Sequence, residues 1–187
     1  MDVFYGGGLI NQDFLCKFAE ENRKELDTMK ETLIQIPILI KQEKELTPEE
    51  ARLLDEARRA TYRSYSPYSH FSVGAAVELA DGTIVTGSNQ ENAAYPSGLC
   101  AERTAVFYAG SRYPDTPIRR ICIAARDTEG NPLLRPIAPC GACRQVLLET
   151  EQRAGSPIEV LLHGTEGIYC LRSIRDLLPL CFDESFL

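Results

Sequence analysis

Hydrophobic and polar positions follow two different periods along this chain, and the change of period predicts where strands and helices lie. Residues 71–79 and 83–87 are β-rich and meet at Asp81-Gly82, which predicts a hairpin. Further strands are predicted at 118–125, 158–162 and 168–171, and helices at 100–109, 139–152 and 173–178. Because strands alternate with helices after the hairpin, the pattern predicts an α/β protein whose mixed sheet is covered on both faces.

The clearest helix start lies at residue 47. Thr47 has the properties of an N-cap, Pro48 suits the first turn, and Glu50 completes a capping box. The side chains predicted to form the buried face of this helix are Leu53, Leu54, Ala57 and Ala60.

Residues 1–46 differ from the rest because they carry no motif. Isoleucines at alternate positions from 34 to 40 resemble a strand, and Pro37 would confine that strand to a sheet edge. We therefore divide the chain into an N-terminal extension of unknown role, residues 1–46, and a domain of residues 47–187. Met29 is the only methionine after the first residue, which raises the hypothesis of a natural start there.

Composition narrows the function classes. The 187 residues are 44% hydrophobic and 25% charged, which is typical of a globular protein, and 20 basic against 27 acidic residues leave a net charge of −7. This charge argues against general binding to nucleic acid or to a membrane. The N-terminus lacks the features of a signal peptide, so we expect a cytoplasmic protein whose seven cysteines stay reduced.

Two short segments carry the candidate chemistry, and each lies where a helix begins: Cys100-Ala101-Glu102-Arg103 and Pro139-Cys140-Gly141-Ala142-Cys143-Arg144. Cys100, Cys140 and Cys143 offer three thiolates for Zn²⁺, which leaves a fourth tetrahedral position for water, as in catalytic zinc sites. Glu102 is close enough in sequence to face the metal without binding it, so it is the candidate general acid and base.

Two arginines beside the cysteine segments and four further cysteines can be interpreted from their positions. Three thiolates and a hydroxide would leave the zinc cluster with a charge of about −2, so Arg103 and Arg144 are expected to donate to the sulfurs and offset that charge. The other cysteines lack motif spacing and are interpreted as small apolar fillers: Cys16, Cys122, Cys170 and Cys181.

Several segments, in one order along the chain, resemble the cytidine deaminases of the small, homotetrameric, zinc-dependent type. Besides the two cysteine segments, they are residues 68–76, 89–96 and 177–182. The resemblance runs from about residue 47 to the end. It implies a three-layer α/β/α sandwich with a mixed five-stranded sheet, one Zn²⁺ per chain, and a homotetramer that shares site residues across subunits.

The resemblance also implies the reaction, which is hydrolytic deamination of cytidine and deoxycytidine to uridine and deoxyuridine, as in pyrimidine salvage. Zinc-bound hydroxide would attack C4 of the pyrimidine. Glu102 would accept the proton of the water, protonate N3, and then move a proton to the leaving amino group.

Substrate contacts follow from the same resemblance. Asn89 and Glu91 point the same way on an extended chain and suit a ribose 3′-hydroxyl. Phe71 is expected to pack on the pyrimidine, and the backbone N–H of Ala101 to donate to the pyrimidine carbonyl oxygen. The residues expected to approach the nucleoside across a subunit interface are Ala93, Tyr95 and Phe182.

Three alternatives stay open. The chain could deaminate a base within RNA or DNA, although the net charge of −7 argues against this class. It could act on another aminopyrimidine, which would use the same zinc residues and a different sugar-reading pocket. It could also be a zinc-stabilised binding protein without turnover, which the presence of Glu102 argues against.

Overall fold

A six-stranded sheet organises residues 31–187, the part of the chain that the computed structural model describes. The strands are β1 (Leu39–Lys41), β2 (Ser72–Leu79), β3 (Ile84–Ser88), β4 (Ile118–Arg126), β5 (Glu159–Gly164) and β6 (Gly167–Leu171). The helices are α1 (Pro48–Ala60), α2 (Ala101–Arg112) and α3 (Gly141–Ala154). Strand order is β1-β6-β5-β4-β2-β3, and only β4 and β5 pair in parallel.

The sheet is mixed and has helices on both faces, which confirms the predicted three-layer α/β/α architecture. On one face, Leu53, Leu54 and Ala57 of α1 pack against the sheet. On the other face, α2 and α3 pack over the larger core. None of these helices is long and apolar enough to cross a bilayer.

Three of the four cysteines interpreted as fillers pack against these two cores. Cys122 is fully buried under α1, Cys170 packs beside it, and Cys181 packs against the larger core. The fourth, Cys16, lies outside the described residues, as does Met29.

The predicted count of five strands is wrong, because the segment before residue 47 adds β1 at the sheet edge. Leu39–Lys41 pairs antiparallel with β6, with Leu39 opposite Cys170. The strand begins after Pro37, which lacks the N–H that a ladder needs. The Lys41 ammonium is 2.7 Å from the Glu50 carboxylate, so an ion pair ties β1 to α1.

Helix α1 begins as its sequence predicts. The Thr47 side chain accepts a hydrogen bond from the backbone N–H of Glu50, and the Glu50 carboxylate accepts one from the N–H of Thr47. This reciprocal capping satisfies two amide groups that would otherwise lack partners. The short helix predicted at 173–178 is instead a 3₁₀ turn, Ile174–Leu177.

Helix α2 approaches strand β3 so closely that only glycine fits at position 87. A Cβ atom on Gly87 would lie 2.5 Å from both the carbonyl oxygen of Ala101 and the nitrogen of Ala105. Both atoms are backbone atoms of the first turns of α2, which cannot move independently of the helix. Gly87 therefore sets the distance between β3 and the start of α2.

Gly87→Ala should displace the start of α2 and lower the free energy of unfolding by about 1–3 kcal/mol, as other overpacked sites do. Denaturant titration would measure this loss, and zinc titration should show weaker binding because Cys100 moves with the helix. Gly110→Ala is the matched control within α2, since its nearest obstacle is a flexible arginine atom at 3.6 Å. Equal stability and zinc affinity in the two variants would contradict this role for Gly87.

Candidate active site

The three predicted zinc ligands come from the starts of two helices. Cys100 is the N-cap of α2, Cys140 is the N-cap of α3, and Cys143 lies in the first turn of α3. Because β2 is antiparallel to both β3 and β4, the carboxyl ends of β3 and β4 lie at the same end of the sheet. Helix α2 is the next helix after β3, and α3 is the next after β4, so both helices begin near that end of the sheet.

The spacing of the three sulfurs fits a tetrahedral zinc ion. The Cys140 sulfur lies 3.7 Å from that of Cys100 and 3.5 Å from that of Cys143, and all three lie within 4.8 Å of one another. A Zn–S bond of about 2.3 Å places two tetrahedral sulfur ligands about 3.8 Å apart. Among residues 31–187, these three cysteines are the only such group of potential metal ligands. Zinc is therefore held by three protein ligands, which leaves one position free.

The cysteine cluster favours one thiolate, on Cys100. The neighbouring Cys143 thiol, together with the guanidinium of Arg103, lowers the pKa of the Cys100 thiol to about 5. The interaction with Cys100, together with burial, raises the pKa of Cys143. A thiolate at Cys100 is also favoured by the positive end of the helix dipole beside it.

Glu102 lies in the first turn of α2, with only 5% of its surface exposed. Burial raises the pKa of its carboxyl group, so the group holds a proton more readily than a carboxylate in water. Glu102 lines the same cavity as Cys100 and Cys140. Its position beside the ligands is the one expected of a general acid and base.

Arg103 lies where the sequence predicts. Its Nη2 atom donates to the Cys100 sulfur over 3.6 Å. The guanidinium therefore offsets part of the negative charge of the thiolates.

Arg144 does not have the predicted contact with the sulfurs. Its Nε donates to the carbonyl oxygen of Pro139, and its Nη1 donates to that of Leu177, both over 2.8 Å. The expectation failed because adjacency in sequence to Cys143 does not fix side-chain direction. From the first turn of α3, the side chain of Arg144 reaches two backbone carbonyls.

A cavity of about 660 Å³ opens in front of the cysteines, which is within the range of small-molecule sites. The lining side chains include Phe71, Asn89, Glu91, Tyr95, Ala101 and Glu102. Ala101 is fully buried, and its N–H lies in the first turn of α2. Amide groups at this position have no acceptor within the helix, so that of Ala101 can donate to a ligand.

The Asn89 side chain is largely used within the protein. Its Oδ1 accepts from Val73 N over 2.8 Å and from Ser64 Oγ over 2.6 Å, and its Nδ2 donates to Phe71 O over 2.9 Å. These bonds hold the start of β2, and with it Phe71, against the cavity. Among residues 31–187, the other amide hydrogen of Asn89 has no acceptor, so it is left for a ligand.

Glu91 keeps one carboxylate oxygen for a ligand. Its Oε2 accepts from the backbone N–H groups of Tyr68, at 2.9 Å, and Ser69, at 3.2 Å. The side-chain hydroxyl of Ser69 and the backbone N–H of Tyr68 hold the pKa of the Glu91 carboxyl below its usual range. Within residues 31–187, its Oε1 has no hydrogen bond, so a charged acceptor faces the cavity.

The backbone donors from Tyr68 and Ser69 are site groups that sequence reasoning missed. They precede His70, whose φ of 55° is unusual for a residue other than glycine. No spacing rule relates Tyr68 to Glu91, which lies 23 residues away. The left-handed backbone at the end of this turn is the only local signal, and it is visible in the structure alone.

Two residues expected at a subunit interface do not line the cavity of their own chain. Ala93 is exposed outside it. Phe182 is 60% exposed, and its ring stacks on that of Phe186 with the ring centroids 5.8 Å apart. The backbone carbonyl oxygen of Phe182 accepts a hydrogen bond from the Gln145 side chain. Tyr95 does line the cavity and is 79% exposed at its mouth.

Comparison with known proteins defines the family. Residues 47–155 match the family model of the cytidine and deoxycytidylate deaminase zinc-binding region. This stretch exceeds half of the chain and contains all three cysteines and Glu102. The chain therefore belongs to this zinc-binding deaminase family.

Individual relatives agree with this assignment. The chain is 40% identical to a cytidine deaminase of Sporosarcina psychrophila over 71% of this chain and 90% of that protein. It is 43% identical to a cytidine deaminase of Mycobacterium tuberculosis over 70% of this chain and 86% of that protein. A crystal structure of cytidine deaminase from Burkholderia pseudomallei superimposes with a TM-score of 0.61 at 38% identity, covering 73% of this chain and all of that one.

Proposed function

We propose that this protein deaminates cytidine and deoxycytidine hydrolytically, giving uridine or deoxyuridine and ammonia. The observation that carries the proposal is the position of the buried Glu102 carboxyl beside three sulfurs with tetrahedral spacing, at the end of a cavity large enough for a nucleoside. The relatives at about 40% identity are named as cytidine deaminases, which supports the same substrate class.

Zinc held by Cys100, Cys140 and Cys143 supplies Lewis acidity, which makes water a nucleophile near neutral pH. Glu102 takes the proton from the attacking water and delivers it to N3 of the pyrimidine, which makes C4 more electrophilic. It then passes the second proton to the amino group at C4, which leaves as ammonia. The buried site suits both roles, because the raised pKa of Glu102 lets it hold and release a proton within one turnover.

The remaining cavity residues bind and orient the nucleoside. The Ala101 N–H donates to the pyrimidine carbonyl oxygen, and Phe71 packs on the ring. The free oxygen of Glu91 accepts from the ribose 3′-hydroxyl, and the remaining amide hydrogen of Asn89 donates to it. Both ribose and deoxyribose carry this hydroxyl, which is why we propose both substrates.

The domain organisation and assembly complete the proposal. The catalytic domain spans residues 47–187, supported by the family match from residue 47, and residues 1–46 are an extension whose end adds β1. A homotetramer would bring Ala93, Tyr95 and Phe182 to a neighbouring site, which would account for their exposure in one chain. We place the protein in the cytoplasm, where the ligand thiols stay reduced.

Glu102→Gln should keep zinc and lose about 10²–10⁴-fold in turnover of cytidine, because the amide cannot transfer the protons. Zinc content by mass spectrometry and ammonia release would be measured on the same preparation. Glu149→Gln is the matched control, since this exposed glutamate lies on α3 outside the cavity. Turnover within a few-fold of the unmodified protein would rule out Glu102 as the proton carrier.

Glu91→Gln should lower kcat/KM for cytidine by about tenfold to a hundredfold, the effect expected when a hydrogen bond to a charged group is lost. The amide oxygen can still accept from Tyr68 and Ser69, so the loop is kept and only the free acceptor changes. Measuring 3′-deoxycytidine with both proteins completes a thermodynamic cycle. The variant should distinguish the two nucleosides much less than the unmodified protein does, because only the contact from Asn89 to the 3′-hydroxyl remains. An undiminished preference for the 3′-hydroxyl would contradict the assignment.

A further inference from the structure

The position of α3 determines where two of the three zinc ligands lie. Cys140 is the N-cap of this helix and Cys143 is in its first turn. Cys100 comes from a different helix, so the sulfur spacing of 3.7 Å between Cys100 and Cys140 depends on how α3 is held. Residues that fix the start of α3 therefore act on the zinc site without touching the metal.

Arg144 connects the peptide before Cys140 with a distant part of the chain. Its two hydrogen bonds, each 2.8 Å long, go to the carbonyl of Pro139 and to the carbonyl of Leu177. Pro139 directly precedes the ligand Cys140, so the first bond fixes the peptide that carries the ligand. The guanidinium has donors in a rigid planar fork, which lets one side chain hold both carbonyls in fixed relation.

The far end of this bridge is firmly anchored. We call residues 173–178 the C-terminal strap. Within it, Ile174 is fully buried, and Leu177 and Leu178 pack against the larger core. A strap packed in this way gives Arg144 a rigid support.

The strap is also fixed to the other end of α3. The buried carboxylate of Glu151 accepts from Ser173 Oγ over 2.7 Å and from Ile174 N over 3.1 Å. Glu151 lies near the end of α3 and Arg144 near its start. The strap therefore runs beside the helix, and side chains near both ends of the helix hold it.

From these contacts we infer that Arg144 is a positioning residue: it braces the Pro139–Cys140 peptide against the C-terminal strap and so holds Cys140 at zinc-binding distance from Cys100. It acts through hydrogen-bond geometry, and not by donating to the sulfurs as Arg103 does. The inference rests on the zinc centre of the proposed function, but not on the identity of the substrate.

The test compares zinc affinities of three variants by competition with a chromophoric chelator. Arg144→Met removes both hydrogen bonds and keeps the length of the side chain. Arg144→Lys keeps the charge, but a single ammonium does not reproduce the planar fork. Arg153→Met is the matched control, because Arg153 is an exposed arginine on the same helix.

Arg144→Met should bind zinc about 10- to 100-fold more weakly, the usual effect of removing a group that orients a ligand. Arg144→Lys should lose nearly as much, and Arg153→Met should match the unmodified protein. The absorption spectrum of the cobalt-substituted protein should change in the two Arg144 variants only, because the ligand geometry changes. Because zinc affinity is measured without substrate, failure of the proposed reaction would not affect this result.

Two results would overturn the inference. Unchanged zinc affinity in Arg144→Met, even with a lowered melting temperature, would leave Arg144 with a purely structural role. Full affinity in Arg144→Lys beside a loss in Arg144→Met would mean that charge matters and geometry does not. If Arg144→Met does not fold, the comparison of Arg144→Lys with Arg153→Met decides the question alone.

Discussion

Two helix N-termini meet at the end of the sheet where β3 and β4 finish, and the rest of the site depends on this constraint. It brings together Cys100 and Cys140, which are 40 residues apart, as sulfurs 3.7 Å from each other. It also places unpaired amide groups and the positive ends of two helix dipoles beside three thiolates. Without these amide groups and dipoles, the negative charge of the three thiolates would be uncompensated in a partly buried site.

One close backbone contact and one side-chain bridge hold the two helix starts in place. Gly87 lets α2 lie directly on β3, and Arg144 joins the start of α3 to the C-terminal strap. The two helices are thus fixed by different means. Helix α2 is placed by the lack of a side chain at Gly87, and α3 is placed by the long side chain of Arg144. Within residues 31–187 no fourth metal-binding side chain joins the three cysteines, and Cys100 and Cys140 line the cavity. A zinc ion held by these cysteines would therefore keep one position for water, which separates this site from a structural zinc site.

Sequence patterns predicted those features that depend on local rules. The capping box at Thr47, the hairpin at Asp81-Gly82 and the ligand spacing of Cys140 and Cys143 are set within a few residues, and the structure has all three. Features that depend on distant contacts were not predictable in the same way. Arg144 reaches Leu177 only because the strap returns to α3. The alternating isoleucines and Pro37 predicted an edge strand before residue 47, but its partner β6 and its short length, Leu39–Lys41, depend on where the sheet ends.

The central claim is that three sulfurs hold a zinc ion whose fourth position is open to water. X-ray absorption at the zinc edge tests it most directly, using the zinc-loaded protein without substrate. We predict three sulfur neighbours at about 2.3 Å and one oxygen neighbour at about 2.0 Å. Four sulfur neighbours, or a nitrogen ligand from a histidine in place of the oxygen, would show a closed structural site and contradict the account.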